Sequence, residues 1–181
     1  RKNQGTIEKI QQMKLHRMLR AFKSTMEAGA GMKNSFTADE LLAHLVDAEW
    51  DERYNRKLAR LLKCARFQYQ ASVQQIDFQL NRNLDKNTIL RFSDCNWIRE
   101  RQDIIITGPT GAGKSFLVTA LAHQGCMYGF KVLYVNCAKL FSQLNIAKAD
   151  GTYIKELKRI QNQDVFVIDD FGLHPFDAPM R

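Results

Sequence analysis

Eight consecutive residues, 108–115, carry the clearest chemical signal in the chain. Gly108-Pro109-Thr110-Gly111-Ala112-Gly113-Lys114-Ser115 has the form G-x-x-x-x-G-K-[ST] of the phosphate-binding P-loop. The glycines let successive backbone N–H groups point at phosphate oxygens, and Lys114 can reach the β- and γ-phosphates. The Ser115 hydroxyl can ligate Mg²⁺. The motif predicts a nucleotide site at these eight residues and at Phe116, which follows them.

The segments on either side of this loop have the composition that the motif requires. Residues 103–107 predict a short, fully buried strand, and residues 116–122 predict the start of a helix. A strand, a glycine-rich turn and a helix place the loop at a helix N-terminus, where anions bind. A chance match in a glycine-rich turn is the alternative, and this context argues against it.

A second motif follows the P-loop by about 50 residues. Residues 165–168 are apolar and lead into Asp169 and Asp170, the pattern of a Walker B strand whose carboxyl end delivers acids to the nucleotide. Asp169 is predicted to hold Mg²⁺, directly or through water, and Asp170 to orient or deprotonate the attacking water. Lys114 and Asp170 are therefore the predicted catalytic residues. The two motifs together predict binding and hydrolysis of a nucleoside triphosphate.

Strands and helices alternate between the two motifs. The pattern predicts a helix over 114–128 ended by Gly129, a strand over 131–135, and helices over 138–146 and 152–160, the last with Thr152 as N-cap. This alternation is typical of an α/β fold with a parallel sheet flanked by helices.

Composition excludes several classes of protein. No apolar run approaches the ~18 residues of a membrane helix, and the polar residues at the start of the sequence contain no signal-peptide pattern. The four cysteines lack C-x-x-C spacing, so they predict reduced thiols in a cytoplasmic protein, with a metal site as a remote alternative.

The positive charge is concentrated before the P-loop. Residues 1–101 carry 19 Lys and Arg against 12 Asp and Glu, whereas residues 102–181 carry 8 against 7, so nearly all of the net +8 precedes the nucleotide motifs. This asymmetry indicates a separate module with a polyanionic partner.

The N-terminal part has helical periodicity. Apolar residues recur at helical spacing from Ile7 to Met26, with Gly29 and Gly31 after them, and Thr37 to Glu40 forms a capping box that opens a long helix. Five basic residues lie opposite the apolar side of this helix: Arg53, Arg56, Lys57, Arg60 and Lys63. They form either a solvated face or a contact surface for phosphates. The adjacent nucleotide motifs favour the second, with duplex DNA bound independently of base sequence.

The layout resembles the IstB-type transposition helper ATPases, relatives of the DnaC-type helicase loaders in the AAA+ class. The resemblance rests on residues 12–26, on residues 41–50 with the basic run after them, on 75–78, 108–115 and 165–172. It implies an ATPase that uses ATP and Mg²⁺, assembles as an oligomer on duplex DNA and assists a transposase in selecting its target. Lys114, Ser115, Asp169 and Asp170 take the roles already given.

The resemblance also implies how the chain is organised. A helical N-terminal domain for DNA or partner binding is expected over 1–70, and the N-terminal portion of an AAA+ domain over 71–181. Two strands, a sensor residue, an arginine finger and a lid of the AAA+ fold are not found in the sequence. One of the two strands would lie between the P-loop strand and the Walker B strand.

Two other functions stay open. A DnaC-like replicative helicase loader would have a protein as its main partner. A P-loop kinase would need an acceptor site and a basic lid, neither of which the sequence indicates.

Overall fold

A computed structural model describes residues 2–28, 36–79 and 84–172 of the chain. The chain divides into two compact units, Arg1–Lys57 and Leu58–Arg181. The boundary between the two units falls inside a long helix, before the boundary between residues 70 and 71 that the sequence predicted. The predicted boundary separates functional domains and stays a prediction. None of the described helices is both long and apolar enough to cross a bilayer.

The first unit begins with two helices, α1 (Lys2–Gln12) and α2 (His16–Ala28). The helical prediction is confirmed here, but it did not include the break between them. Lys14 adopts the left-handed conformation with φ of 59°, and its N–H donates to the Gln11 carbonyl at 2.9 Å. This arrangement closes the C-terminus of α1. Gly29 and Gly31, expected to end the run, lie outside the described residues.

Helix α3 (Ala38–Ala65) begins at the predicted capping box. The Thr37 N–H donates to the Glu40 carboxylate at 2.8 Å, and the Glu40 N–H donates to the Thr37 hydroxyl at 3.3 Å. The first turn of α2 is hydrogen-bonded to α3. The Glu49 carboxylate accepts the backbone N–H groups of Arg17 and Met18 at 3.0 and 3.3 Å. A carboxylate at a helix N-terminus pairs with the positive end of its dipole.

The second unit contains the predicted alternation of helices and strands. After a 3₁₀ turn at Val73–Gln75, its elements are α4 (Lys86–Ser93), α5 (Asn96–Arg99), α6 (Lys114–Met127), β1 (Val132–Asn136), α7 (Cys137–Asp150), α8 (Tyr153–Gln161) and β2 (Val165–Asp169). Strands β1 and β2 are parallel and pair from Val132 with Val165 to Asn136 with Asp169. Both strands were predicted, and the parallel arrangement predicted for the sheet is confirmed for this pair.

The sequence assigned Gly129 to the end of one helix and Thr152 to the start of another, and hydrogen bonds test both assignments. Gly129 follows α6 with φ of 88°, a left-handed conformation that lets its N–H return to the Cys126 carbonyl at 2.9 Å. Thr152 precedes α8 as predicted, but its hydroxyl donates to the Asp150 carboxylate at 2.6 Å and does not cap the helix.

The prediction of a buried strand over residues 103–107 is wrong. No described residue pairs with this segment as a strand, and the Ile105 side chain is 87 % exposed. An apolar strand becomes buried only when neighbouring strands satisfy its backbone and cover its faces.

The main core of the second unit lies between the sheet and the end of α3. Leu61 and Ala65 are buried against Val132 and Val165 of the two strands and against Cys126 of α6. The apolar side of α3 is therefore a packing surface near the C-terminal end of the helix, as its spacing predicted. This packing leaves the basic residues of the helix on its exposed side.

Candidate nucleotide and DNA site

The P-loop has the backbone conformation that its glycines permit. Gly111 and Gly113 have φ values of 81° and 86°, in the left-handed region that other residues rarely adopt. Gly113 is also the N-cap of α6, so the loop turns directly into the helix. The backbone N–H groups and the dipole of such a helix start are suited to bind an anion, as the motif predicts.

Lys114 is held across the loop that it belongs to. Its Nζ donates to the carbonyl oxygens of Gly108 and Pro109 at 2.7 and 2.8 Å. These two bonds place the ammonium group beside the loop, where it can neutralise phosphate charge. Thr110 and Gly111 lie exposed at the tip of the loop.

Ser115 and Asp169 meet although 54 residues separate them in the chain. The Ser115 hydroxyl donates to Asp169 Oδ1 at 3.1 Å. The first turn of α6 and the carboxyl end of β2 are thereby joined, which brings the predicted metal ligands into one place. A hydroxyl and a carboxylate are oxygen donors of the kind that Mg²⁺ prefers, so the residues fit this ion.

The other carboxylate oxygen of Asp169 has a partner that the sequence did not reveal. The hydroxyl of Tyr134, in the middle of β1, donates to Asp169 Oδ2. Burial raises the pKa of the Tyr134 hydroxyl, and the hydrogen bond to Asp169 raises it further. The phenol therefore remains a neutral donor to the carboxylate at physiological pH.

Asp170 lies at the sheet edge next to Asp169. Its backbone N–H donates to Asp169 Oδ1 at 3.0 Å, and its carboxylate accepts the side-chain amide of Asn136 at 2.8 Å. Asn136 pairs with Asp169 in the sheet register, which explains why its side chain reaches the neighbouring acid. The side chain of Asp170 is exposed and its φ is 57°, which turns the chain away from the strand direction.

A cleft of about 740 Å³ adjoins the P-loop. Apolar side chains of Ile76, Leu84 and Leu117 contribute to its walls together with the backbone of the loop. Phe116 also lines it and stacks on Tyr69 with ring centroids 6.5 Å apart. The remaining lining residues are Gln75, Asp77, Ile106, Thr107, Gly108, Pro109, Ala112, Gly113 and Lys114. The cleft has the volume of a typical small-ligand site and can take the nucleoside of a nucleotide held by the loop.

All five predicted DNA-contacting residues are exposed on α3. Two of them are ion-paired one turn back along the helix: Arg53 with Glu49 at 2.9 Å and Arg56 with Glu52 at 3.1 Å. The i,i+4 spacing of these pairs was visible in the sequence and signals such pairing. No ion pair with another described residue involves the other three, which are Lys57, Arg60 and Lys63.

Comparison with known proteins agrees with this site. Residues 8–181 match the model of the family described as IstB-like ATP binding protein. The chain belongs to this family. The chain is 36 % identical over 179 residues to an ATP-binding protein of insertion sequence IS1162 from Pseudomonas fluorescens. The alignment covers 98 % of this chain and 77 % of that protein. A Sinorhizobium fredii protein, also named as an insertion sequence ATP-binding protein, is 33 % identical, with 97 % of this chain and 71 % of that protein aligned.

A more distant relative has the same kind of name. The protein named for insertion sequence IS21 and for ATP binding in Pseudomonas aeruginosa is 24 % identical over 93 % of this chain, which spans 63 % of that protein. The recognition made from the sequence is therefore confirmed at the level of the family. ATP binding agrees with the P-loop, whose geometry the structure supplies.

Proposed function

We propose that this protein is a DNA-binding AAA+ ATPase that assembles as an ATP-dependent oligomer on duplex DNA and assists a transposase in target selection and transposition. The observation that carries the ATPase part is the hydrogen bond between Ser115 and Asp169. It joins the two motifs of a nucleotide-hydrolysing site at one point. The insertion sequence names of the relatives support the link to transposition.

The described side chains supply the parts of a hydrolytic reaction. Lys114, anchored on the loop carbonyls, stabilises negative charge on the phosphates as the terminal bond breaks. Asp170 accepts the proton of the water that attacks the γ-phosphorus, and Asn136 orients that carboxylate through its amide. Mg²⁺ held by Ser115 and Asp169 would neutralise phosphate charge. The products are ADP and phosphate.

The exposed basic residues of α3 support the DNA part of the proposal. Lysine and arginine side chains that make no competing ion pair are free to neutralise phosphates and release counterions. Contacts to the DNA phosphate backbone bind all base sequences with similar affinity. A helper protein that acts at many target sites requires such binding. An oligomer strengthens such contacts by binding one duplex at several points. We further propose residues 1–70 as the DNA- or partner-binding domain, residues 71–181 as part of the AAA+ domain, and the cytoplasm as the location.

The test is binding of plain duplex DNA with and without ATP, in the absence of any helicase. We expect ATP to tighten binding and to increase the mass of the complex, measured by fluorescence anisotropy and by light scattering. Lys114→Ala is the matched control, because it should remove the effect of ATP and leave the basic face unchanged. A protein that ignores duplex DNA with ATP present, yet binds a replicative helicase, would refute the transposition proposal in favour of a helicase loader.

A further inference from the structure

Tyr134 is a buried side chain that contacts the predicted metal ligand Asp169 from within the sheet. It lies at the centre of β1, is 3 % exposed, and pairs in the sheet with Val167 of β2. Its hydroxyl donates to Asp169 at the end of the neighbouring strand. Neither the P-loop motif nor the Walker B motif includes this residue.

The two oxygens of the Asp169 carboxylate have different partners. Oδ1 accepts the Ser115 hydroxyl at 3.1 Å and the Asp170 backbone N–H at 3.0 Å, whereas Oδ2 accepts the Tyr134 hydroxyl. A carboxylate can rotate about its terminal torsion, so one oxygen held from behind limits where the other can point. The Tyr134 bond therefore keeps Oδ1 directed toward Ser115.

The tyrosine ring is itself held in place. Phe67, which follows the end of α3, meets the Tyr134 ring edge to face with centroids 6.1 Å apart and an interplanar angle of 70°. Tyr134 also belongs to the core cluster that contains Ala65 and Val167. A donor fixed by packing on several sides can position an acceptor better than a mobile surface residue can.

We propose that Tyr134 is a positioning residue that holds the Asp169 carboxylate in its metal-ligating orientation. This inference rests on the proposed function, in which Asp169 and Ser115 hold Mg²⁺. Loss of an outer partner of a metal ligand weakens metal affinity by about 10- to 100-fold. Tyr134→Phe keeps the ring and its packing on Phe67, so we expect the Mg²⁺ concentration for half-maximal nucleotide binding to rise about 10-fold.

The experiment measures binding of a fluorescent ATP analogue as Mg²⁺ is titrated, and again with the metal chelated. Tyr134→Phe should shift the Mg²⁺ titration and leave binding without metal unchanged. Tyr128→Phe is the matched control, since it removes a phenol hydroxyl from a half-exposed residue of the same unit. The double variant Tyr134→Phe with Asp169→Asn tests the route, because Tyr134 should have no further effect once the carboxylate is gone.

Each outcome decides the matter. A wild-type Mg²⁺ titration for Tyr134→Phe overturns the inference, and so does an equal shift in the Asp169→Asn background. Weaker binding in Tyr134→Phe without metal would assign the hydroxyl to general packing and also overturn it. If nucleotide binding by the wild-type protein does not respond to Mg²⁺ at all, the proposed metal site itself fails, which separates the two hypotheses.

Discussion

Replacing Lys57, Arg60 and Lys63 together with glutamine should flatten the salt dependence of duplex DNA binding. These three cations are exposed and form no ion pair with a described residue. Each phosphate contact contributes about 0.9 to the log–log slope, so three contacts contribute about 2.7. Between about 50 and 200 mM salt, this part of the slope corresponds to about a 40-fold loss of affinity. The triple variant should lack that part of the salt sensitivity.

A second variant makes this experiment specific. Replacing Arg53 and Arg56 with glutamine should flatten the slope by less than the ~1.8 expected for two phosphate contacts. Both arginines already form ion pairs, Arg53 with Glu49 and Arg56 with Glu52, which also pairs with Arg17. The assay is fluorescence anisotropy of labelled duplexes of unrelated sequence over a salt series with ATP, with circular dichroism to confirm folding. Any loss of affinity in either variant should be the same for duplexes of all sequences.

Two results would refute this reasoning. An unchanged slope in the triple variant would make the basic face of α3 a solvated surface of a packing helix. A slope that falls as much in the Arg53 and Arg56 variant as in the triple variant would show that the glutamate pairs do not compete with phosphate.

Lys114→Ala should abolish tight ATP binding, since the ammonium held by the loop carbonyls is lost; nucleotide titration checks this, and wild-type affinity would remove Lys114 from the site. Asp170→Asn should bind ATP normally and hydrolyse none, whereas Asp169→Asn should weaken Mg²⁺-dependent binding; phosphate release and binding assays separate the two, and a wild-type rate for Asp170→Asn would disprove its catalytic role. Leu61→Ala should lower the free energy of unfolding in urea by about 2–5 kcal/mol because it opens a cavity in the core. Leu42→Ala, at a 62 % exposed site on the same helix, should change it by less than ~0.5 kcal/mol, and equal effects would contradict the packing described for α3.

The nucleotide site could be predicted from the sequence because its parts are local. A left-handed loop that opens a helix requires glycine at fixed positions, so the G-x-x-x-x-G-K-S pattern specifies both the loop and the place of Lys114. The capping box at Thr37 and the left-handed Gly129 are of the same kind, since each depends on residues within one turn. Short-range backbone geometry decides these features, and it is written in neighbouring residues.

Only the tertiary structure decided which distant groups meet. Ser115 reaches Asp169, and Tyr134 supports that carboxylate, because of the parallel register of β1 and β2 and the packing of α6 on the sheet. The two motifs predicted that Ser115 and Asp169 share a metal ion, but no pattern in the sequence indicated the contact of Tyr134 with that carboxylate. Residues 103–107 show the limit of the local pattern. Their apolar side chains favour a strand, but a strand becomes buried only when neighbouring strands cover it. Among the described residues no strand lies beside this segment, and Ile105 is exposed.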